Sequence, residues 1–415
     1  MTGHDATEQN PILDPFSLDE MLDVLAEFHA EPLALEHELP EPMDLLKQRV
    51  EREYNICRSL LTGKEDIQRL EALHDWLDQD MTRLAPIIES RRDRLRPSRW
   101  YMEYSDVRLH DNGRLVITQS AAQDPIPFEY PEMSDPGNDI ASLRVELELR
   151  GEMTLSHQAL DGYLRRSADY ELARVLSLLQ VVESMAGMRR ALQRRNARGD
   201  NERPALLAET MNSFRRYLAL AERHAEFRFP PLIIGVGVSG SGKSRFTRAL
   251  VGRMGAVRLS SDVQRLALYG LNPQSVEGKP LPDDIYTSEV TAKTYQRLAT
   301  CAGILLDAGF MVCIDGTFLE HGQRDQLRLQ AEARGLPVLL VSFEADEATL
   351  RRRISKRALR NDKDESMSLA VLAAQQDAFE DFTDEERLHL VRIDSTAENA
   401  AETLASMIEE HIRVL

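Results

Sequence analysis

Leu232-Ile-Ile-Gly-Val-Gly-Val-Ser-Gly-Ser-Gly-Lys-Ser244 is the stretch that decides the fold. Leu232 to Val238 is a continuous apolar run of strand length, and Arg245 to Val251 goes on in a helical pattern. Gly237 to Ser244, at their junction, matches G-x-x-x-x-G-K-S/T in full. Strand, glycine loop and helix in that order predict a phosphate-binding P-loop. Glycine at Gly237, Gly240 and Gly242 lets the backbone curl and aim its N–H groups at phosphate oxygens, beside the positive end of a helix. Lys243 would bring a point charge to the β- and γ-phosphates, and the Ser244 hydroxyl would coordinate magnesium. Ser239, Ser241 and Arg245 complete the predicted nucleotide-binding set, with ATP and Mg2+ as its ligands. A glycine-rich turn that merely precedes a lysine is the bland alternative, and the flanking strand and helix weigh against it.

Downstream, apolar runs alternate with helical patterns: Ala256 to Ser260, Phe310 to Asp315, Val338 to Phe343 and Leu388 to Ile393. Strands buried on both faces look like this, so the predicted class is α/β, a parallel sheet flanked by helices. Tyr295, Leu298, Ala302 and Leu305 mark one intervening helix, which stops at Gly309. A parallel sheet gathers its strand ends at one edge, where ligands bind. Asp315 ends one strand and is the predicted acidic partner of magnesium, unless it only caps the next loop. Thr317, two residues on, is assigned to a phosphate, a water or the acceptor. Asp262 is the candidate general base for a hydroxyl nucleophile, with Arg265 on the same helical face to hold an anionic group of the acceptor. Equally, Ser261 or Asp262 would serve as the N-cap of that helix. Leu350 to Arg360 concentrates cations, and Arg353 and Arg357 lie one helical turn apart. A lid would carry them to the transferring phosphoryl group, whereas a surface helix would leave them solvated.

Upstream the character differs. Phe227-Arg228-Phe229-Pro230-Pro231 interrupts any helix, and the domain boundary is predicted there, at 228/229. Residues 1 to about 18 read as a loose terminus, and 19–228 as a mainly helical α+β domain. Leu70, Leu73, Leu77, Met81, Leu84 and Ile88 form one apolar stripe, Leu172, Val175, Leu179 and Val182 another, and a third lies near Leu45. Asn112-Gly113 predicts a hairpin turn between Asp106–Leu109 and Arg114–Thr118, and Asp124 to Pro136 predicts a loop.

The 415 residues are too many for one ordinary core, so two domains are expected. A net charge of −18 disfavours non-specific binding to a polyphosphate backbone, though one nucleic-acid end in a local basic pocket stays open. There is no membrane-length apolar run and no export signal, and the three cysteines have neither zinc nor disulfide spacing. A cytoplasmic location is the expectation.

With these residues in view, about 231 to 395 resembles the P-loop kinases of the zeta-toxin and polynucleotide-kinase-like group, of AAA-type ATP-binding domains. The Walker A run, Ser260-Ser261-Asp262 with Arg265, Asp315-Gly-Thr-Phe318 and the arginine-rich segment after Leu350 carry the resemblance. It implies a sheet order of 2-3-1-4-5, Asp262 as general base, and lid arginines drawn from Arg351, Arg353, Arg357 and Arg360. It leaves the acceptor open among sugars, nucleic-acid ends and small metabolites.

The first half is similar to the C-terminal lobe of aminoglycoside phosphotransferases through Phe28-His29, Ala85-Pro86-Ile87-Ile88-Glu89, Asp139-Ile140-Ala141-Ser142, Tyr163-Leu164 and Asp169-Tyr170. That family's catalytic loop reads His-Gly-Asp with a later Asn; here the matching stretch is Tyr104-Ser105-Asp106, with Asp111 at the Asn position. Thr118-Gln119 stands near the place of the metal-binding Asp, and the chain begins too late for the family's nucleotide-binding lobe. A catalytically inactive scaffold or regulatory domain is therefore expected, one that would offer a surface to a protein partner. The leading expectation for the whole is an ATP-dependent kinase acting on a hydroxyl of a small or end-on acceptor, with the Leu266–Asp284 segment as acceptor-binding insert. An ATP-binding switch without turnover and a simple ATPase are the alternatives.

Overall fold

The computed structural model describes residues 18–31, 39–97, 105–109, 115–119, 133–197, 204–271, 276, 281–282, 284–360 and 365–414. The chain divides into two compact units, Met1–Glu226 and Phe227–Leu415.

The first unit is built on α1 (Leu18–Ala30), α2 (Pro42–Leu60), α3 (Lys64–Ser90), α4 (Gly137–Leu149), α5 (Met153–Ser167), α6 (Ala173–Ala197) and α7 (Pro204–Ala225). Two small antiparallel ladders accompany them, β1 (Arg96–Pro97) with β4 (Met133–Ser134) and β2 (Ser105–Leu109) with β3 (Leu115–Gln119). The stripe from Leu70 to Ile88 is buried along α3, and Leu172, Val175, Leu179 and Val182 are buried at the start of α6 and just before it. Helix α6 packs on α2, α3, α4 and α7, so its interior stretch is apolar nearly all round rather than on one face. Gly187 permits its close crossing with α7: a Cβ there would stand 2.2 Å from the Tyr217 ring.

The charges inside this unit are paired. Glu53 and Arg189 meet at 2.6 Å, Arg49 and Glu183 at 2.6 Å, and Arg91 holds both Asp135 and Asp169. Hairpin strands β2 and β3 pair with Leu109 opposite Leu115; the Asn112-Gly113 turn lies outside the described residues. The loop assigned to Asp124–Pro136 needs correcting at its end, where Met133–Ser134 is a strand. A two-residue ladder is too short to leave a periodic signal; residues 124–132 lie outside the described set.

The second unit runs β5 (Leu232–Val236), α8 (Lys243–Met254), β6 (Val257–Ser260), α9 (Ser261–Ala267), α10 (Ser288–Asp307), β7 (Val312–Asp315), α11 (His321–Glu332), β8 (Val338–Glu344), α12 (Glu347–Arg360), α13 (Glu365–Asp377), α14 (Asp384–Arg387), β9 (Leu390–Asp394) and α15 (Ala400–Val414). Its five strands are all parallel, in the order β6-β7-β5-β8-β9. The central strands β5 and β7 are buried at every position, which is why they read as continuous apolar runs. Two strands, β7 and β9, start two residues later than their apolar runs, and β6 starts one residue later. Phe310 donates its N–H to Leu305 O and closes α10 together with Gly309, which lies at φ 79. Leu388 is 79% exposed at the end of α14 and precedes β9.

One sheet face packs Ile233, Cys313, Leu339, Val341 and Phe343 against Phe246 and Leu250 of α8 and Leu404 and Ile408 of α15. The register sets Asp315 opposite both Gly235 and Ser260. The carboxyl ends of β5, β6 and β7 therefore reach one edge together, and the glycine loop leaves from that edge.

Candidate phosphate-binding site

The loop between β5 and α8 is curled by its glycines. Gly237, Gly240 and Gly242 have φ of 144, 83 and 106, values that an L side chain rarely adopts. Space forbids a side chain as well: a Cβ on Gly237 would lie 2.9 Å from both Phe343 O and Ser241 Oγ. At Gly240 it would meet Ile354 of α12 at 3.2 Å, and at Gly242 it would meet Ser395 at 3.2 Å. The loop is thus pressed between the sheet edge, α12 and the turn after β9. Gly237 N–H donates to Thr317 O at 3.1 Å, joining the loop to the strand end that carries Asp315.

Lys243 begins α8 with its ammonium folded under the loop. It donates to Gly237 O at 2.7 Å and Val238 O at 2.8 Å, and lies 3.4 Å from Ser241 Oγ. Burial pushes its pKa down from 10.5 to about 8, with the charge of Arg357 adding to the fall and those of Asp315 and Asp262 opposing it. A buried cation under a glycine loop at a helix N-terminus fits a polyphosphate. Ser244 is exposed on the first turn of α8, and its hydroxyl makes no hydrogen bond among the described residues. Ser239 is half-buried, Ser241 is buried, and Arg245 is exposed with its guanidinium 5.8 Å from the Phe246 ring centre. The Ser244 hydroxyl and the Asp315 carboxylate are hard oxygen donors of the type that would hold a divalent cation.

The remaining predicted residues fall into two groups. Asp315 is buried at the end of β7, and Asp262 is exposed in the first turn of α9, both within electrostatic reach of Lys243. Ser260, not Ser261 or Asp262, is the N-cap of α9, which leaves the Asp262 carboxylate out of capping. Arg357 is exposed on α12 and acts electrostatically on both Lys243 and Tyr286. The charges of Asp315, Asp262 and Arg357 thus all act on Lys243.

Arg353 and Arg265 are instead engaged elsewhere. Arg353 donates to Gly240 O at 3.1 Å, Ser395 Oγ at 2.8 Å and Ser395 O at 3.1 Å, so its guanidinium braces the outer side of the loop. It neighbours Ile354, whose burial fixes that face of α12 against the loop. Arg265 donates to Ile285 O at 2.9 Å and Thr291 Oγ1 at 3.1 Å beneath the Tyr286 ring. It ties α9 to the start of α10. Thr317 Oγ1 lies 3.4 Å from the Tyr295 hydroxyl, while its carbonyl holds the loop. Arg351 pairs with Glu347 on the exposed side of α12, and the Arg360 side chain lies outside the described set.

Sequence reasoning missed Arg258, Gln375 and the Arg324–Glu386 pair. Arg258 sits at 3.5 Å from Asp315, and as a cation inside the apolar run Val257–Leu259 it left a signal that could have been used. Arg324 and Glu386, each 1% exposed, meet at 2.6 Å; Arg324 also donates to Phe318 O and Leu319 O. That anchorage accompanies φ 50 at Phe318, a positive value at a bulky residue directly after Asp315-Gly-Thr.

A parallel sheet with this loop, lysine and helix defines a nucleotide-binding P-loop fold. A protein-family model described as an AAA domain matches residues 232–382. Uncharacterized proteins of Mycobacterium tuberculosis and Mycobacterium bovis are each 28% identical over 269 residues, covering 65% of this chain and 52% of the relative. The chain thus spans about half the length of the curated relatives it matches. Among solved structures, a gluconokinase from Sinorhizobium meliloti is 26% identical, with 45% of this chain and 97% of that one covered and a TM-score of 0.31. The APS kinase of Mycobacterium tuberculosis, solved with AMPPNP and APS, is 18% identical, with 44% and 99% covered and a TM-score of 0.33. No helix among the described residues is long and apolar enough to cross a membrane.

Proposed function

We propose that the protein is an ATP-dependent kinase that transfers the γ-phosphoryl group to a hydroxyl of its acceptor. The observation that carries this reading is that buried Lys243, under the glycine loop, feels the charges of two carboxylates, Asp262 and Asp315, and of one exposed guanidinium, Arg357. A nucleotide switch needs the lysine and the magnesium ligand but has no use for a second, uncapped carboxylate such as Asp262. Magnesium, held by Ser244 and Asp315, would supply charge neutralisation of the phosphates. The loop amides and Lys243 bind and orient those phosphates. Asp262 accepts the acceptor hydroxyl proton as that oxygen bonds to phosphorus and the bond to the β-phosphate oxygen breaks. Arg357 stabilises charge on the transferring group. Arg265 and Thr317 are assigned to the acceptor side, Arg265 by fixing the segment that carries Tyr286. Arg353 acts through the loop it braces.

The likeness to the zeta-toxin and polynucleotide-kinase group, and of the first unit to a phosphotransferase lobe, belongs to this proposal. We read the first unit as an inactive scaffold. Asp139 is held by His29 at 3.1 Å, and Asp135 and Asp169 by Arg91, so these carboxylates serve the packing.

Purified protein with γ-labelled ATP, presented to pools of sugars, small metabolites and nucleic-acid ends, tests the proposal. Label transfer that is lost in Lys243→Ala and Asp262→Asn, with ATP affinity nearly intact in the latter, is the expected result. Acceptor-independent phosphate release at the same rate would point to an ATPase. No Lys243-dependent product from any pool would overturn the kinase for those acceptor classes.

A further inference from the structure

The amide of Ser239, in the middle of the phosphate loop, is not open to a ligand alone. Its N–H donates to Oε1 of Gln375, 136 residues later, at 2.7 Å. Because Ser239 N–H is a donor, the side-chain atom it meets must be the carbonyl oxygen, and the NH2 group of Gln375 is the other end. That NH2 makes no hydrogen bond among the described residues, although the side chain is half-buried.

Gln375 is held in register. It lies one helical turn beyond Leu372, which is 1% exposed and packs with Leu350 and Ile354 of α12 and with Val238 of the loop. The adjacent Gln376 donates to Glu347 at the start of α12 at 2.7 Å. Just past α13, Glu380 N–H donates to Leu319 O at 2.9 Å, and its carboxylate accepts from His321 N–H at 2.5 Å. Helix α13 and its continuation thus touch the loop, the arginine helix and the strand-end segment after Asp315.

The position along the phosphates follows from Lys243. A P-loop lysine serves the β- and γ-phosphates, and here its Nζ lies against Gly237 O and Val238 O, the residues directly before Ser239. The terminal phosphate therefore belongs at the Gly237–Ser239 end of the loop.

We propose that Gln375 reads the terminal phosphate of the bound nucleotide. Its carbonyl fixes Ser239, and its NH2 donates to a γ-phosphoryl oxygen. The inference rests on the nucleotide site proposed above and adds a ligand contact from a helix far along the chain. It makes the protein distinguish ATP from ADP through α13.

Full-length protein, titrated calorimetrically with AMPPNP and with ADP in the presence of magnesium, tests it in Gln375→Glu and Gln375→Ala. Glutamate keeps an acceptor for Ser239 N–H but replaces the NH2 donor with a negative charge. A hydrogen bond to a charged group is lost, so Gln375→Glu should weaken AMPPNP by about tenfold or more while changing ADP by less than about threefold. Gln375→Ala should show the same preference more weakly. Equal losses for both nucleotides would mean that Gln375 only supports the loop, and tighter AMPPNP binding would mean that it blocks the site; either overturns the inference. Wild-type protein that binds neither nucleotide would instead overturn the parent proposal, and this one with it.

Discussion

Arg258 Nη1 lies 3.5 Å from Oδ2 of Asp315, with side chains only 9% and 8% exposed, so the acid at the end of β7 is part of an ion pair on the sheet. Removing the guanidinium leaves a nearly buried carboxylate without its partner. Arg258→Gln should lower unfolding stability by about 3 kcal/mol, and magnesium should restore part of it by taking the cation's place beside Asp315. Thermal unfolding with magnesium and with EDTA measures both effects. An unchanged midpoint would count against the pair.

Lys243 sets a pH limit on nucleotide binding. Its pKa in the free protein is about 8 against an ordinary 10.5, so it loses charge as pH rises through 8, and affinity for polyphosphate should fall with it. A bound polyphosphate favours the charged form, so binding above pH 8 should take up a proton. Calorimetry of AMPPNP in buffers of different ionisation enthalpy reads this directly, and Lys243→Met should abolish the uptake. Stability runs the opposite way: burial disfavours the folded ammonium, so the lysine contributes more stability above pH 10.5, and that contribution is lost as pH falls from 10.5 to 8.

Gly237 combines φ 144 with a Cβ position 2.9 Å from Phe343 O, a backbone atom that cannot swing away. Gly237→Ala should cost about 1–3 kcal/mol of stability through backbone strain and remove nucleotide binding, because the loop must shift to relieve the contact. Gly270→Ala is a control for the φ cost alone: Gly270 is at φ 65 and nothing lies within 4 Å of its Cβ position. It should lose stability but keep nucleotide affinity.

Arg353 and Arg357 should separate in kinetics. Arg353 is bonded to Gly240 and Ser395, so Arg353→Ala should loosen the loop and raise both KM for ATP and sensitivity to heat. Arg357 is exposed and its charge acts on Lys243, so Arg357→Ala should keep the thermal midpoint and lower kcat, by about 10²-fold. The reverse pattern would return the phosphoryl contact to Arg353.

Glu148 supports the first unit in acid. Burial alone would raise its pKa, but bonds from His224 and Ser156 and the charge of Arg144 bring it from 4.5 down to about 2. Its stabilisation is therefore complete above pH 4.5 and is lost as pH falls toward 2. Glu148→Gln should flatten the acid limb of unfolding for this unit, measured by far-UV circular dichroism.

The glycine loop was legible because a P-loop is a local device. Gly237, Gly240, Gly242, Lys243 and Ser244 lie within one turn of chain, and their chemistry needs no distant partner. The apolar runs that became β5, β7 and β8 were legible for a related reason, since a strand covered on both faces has little room for polar residues. Ends of elements were less so: Phe310 and Leu388 are apolar, yet they belong to the ends of α10 and α14 because hydrogen bonding rather than hydropathy decides where a strand begins.

From the sequence alone came the glycine loop, the alternation of strands and helices, and the acids that follow strands, because each depends on neighbours a few residues away. Only the tertiary structure decided what the long side chains do. Arg353 reaches back 113 residues to brace Gly240, and Gln375 reaches back 136 to hold Ser239. A guanidinium or an amide has the same chemistry in any of its rotamers, so its role is set by whichever carbonyl or amide the packed helices bring within hydrogen-bond distance.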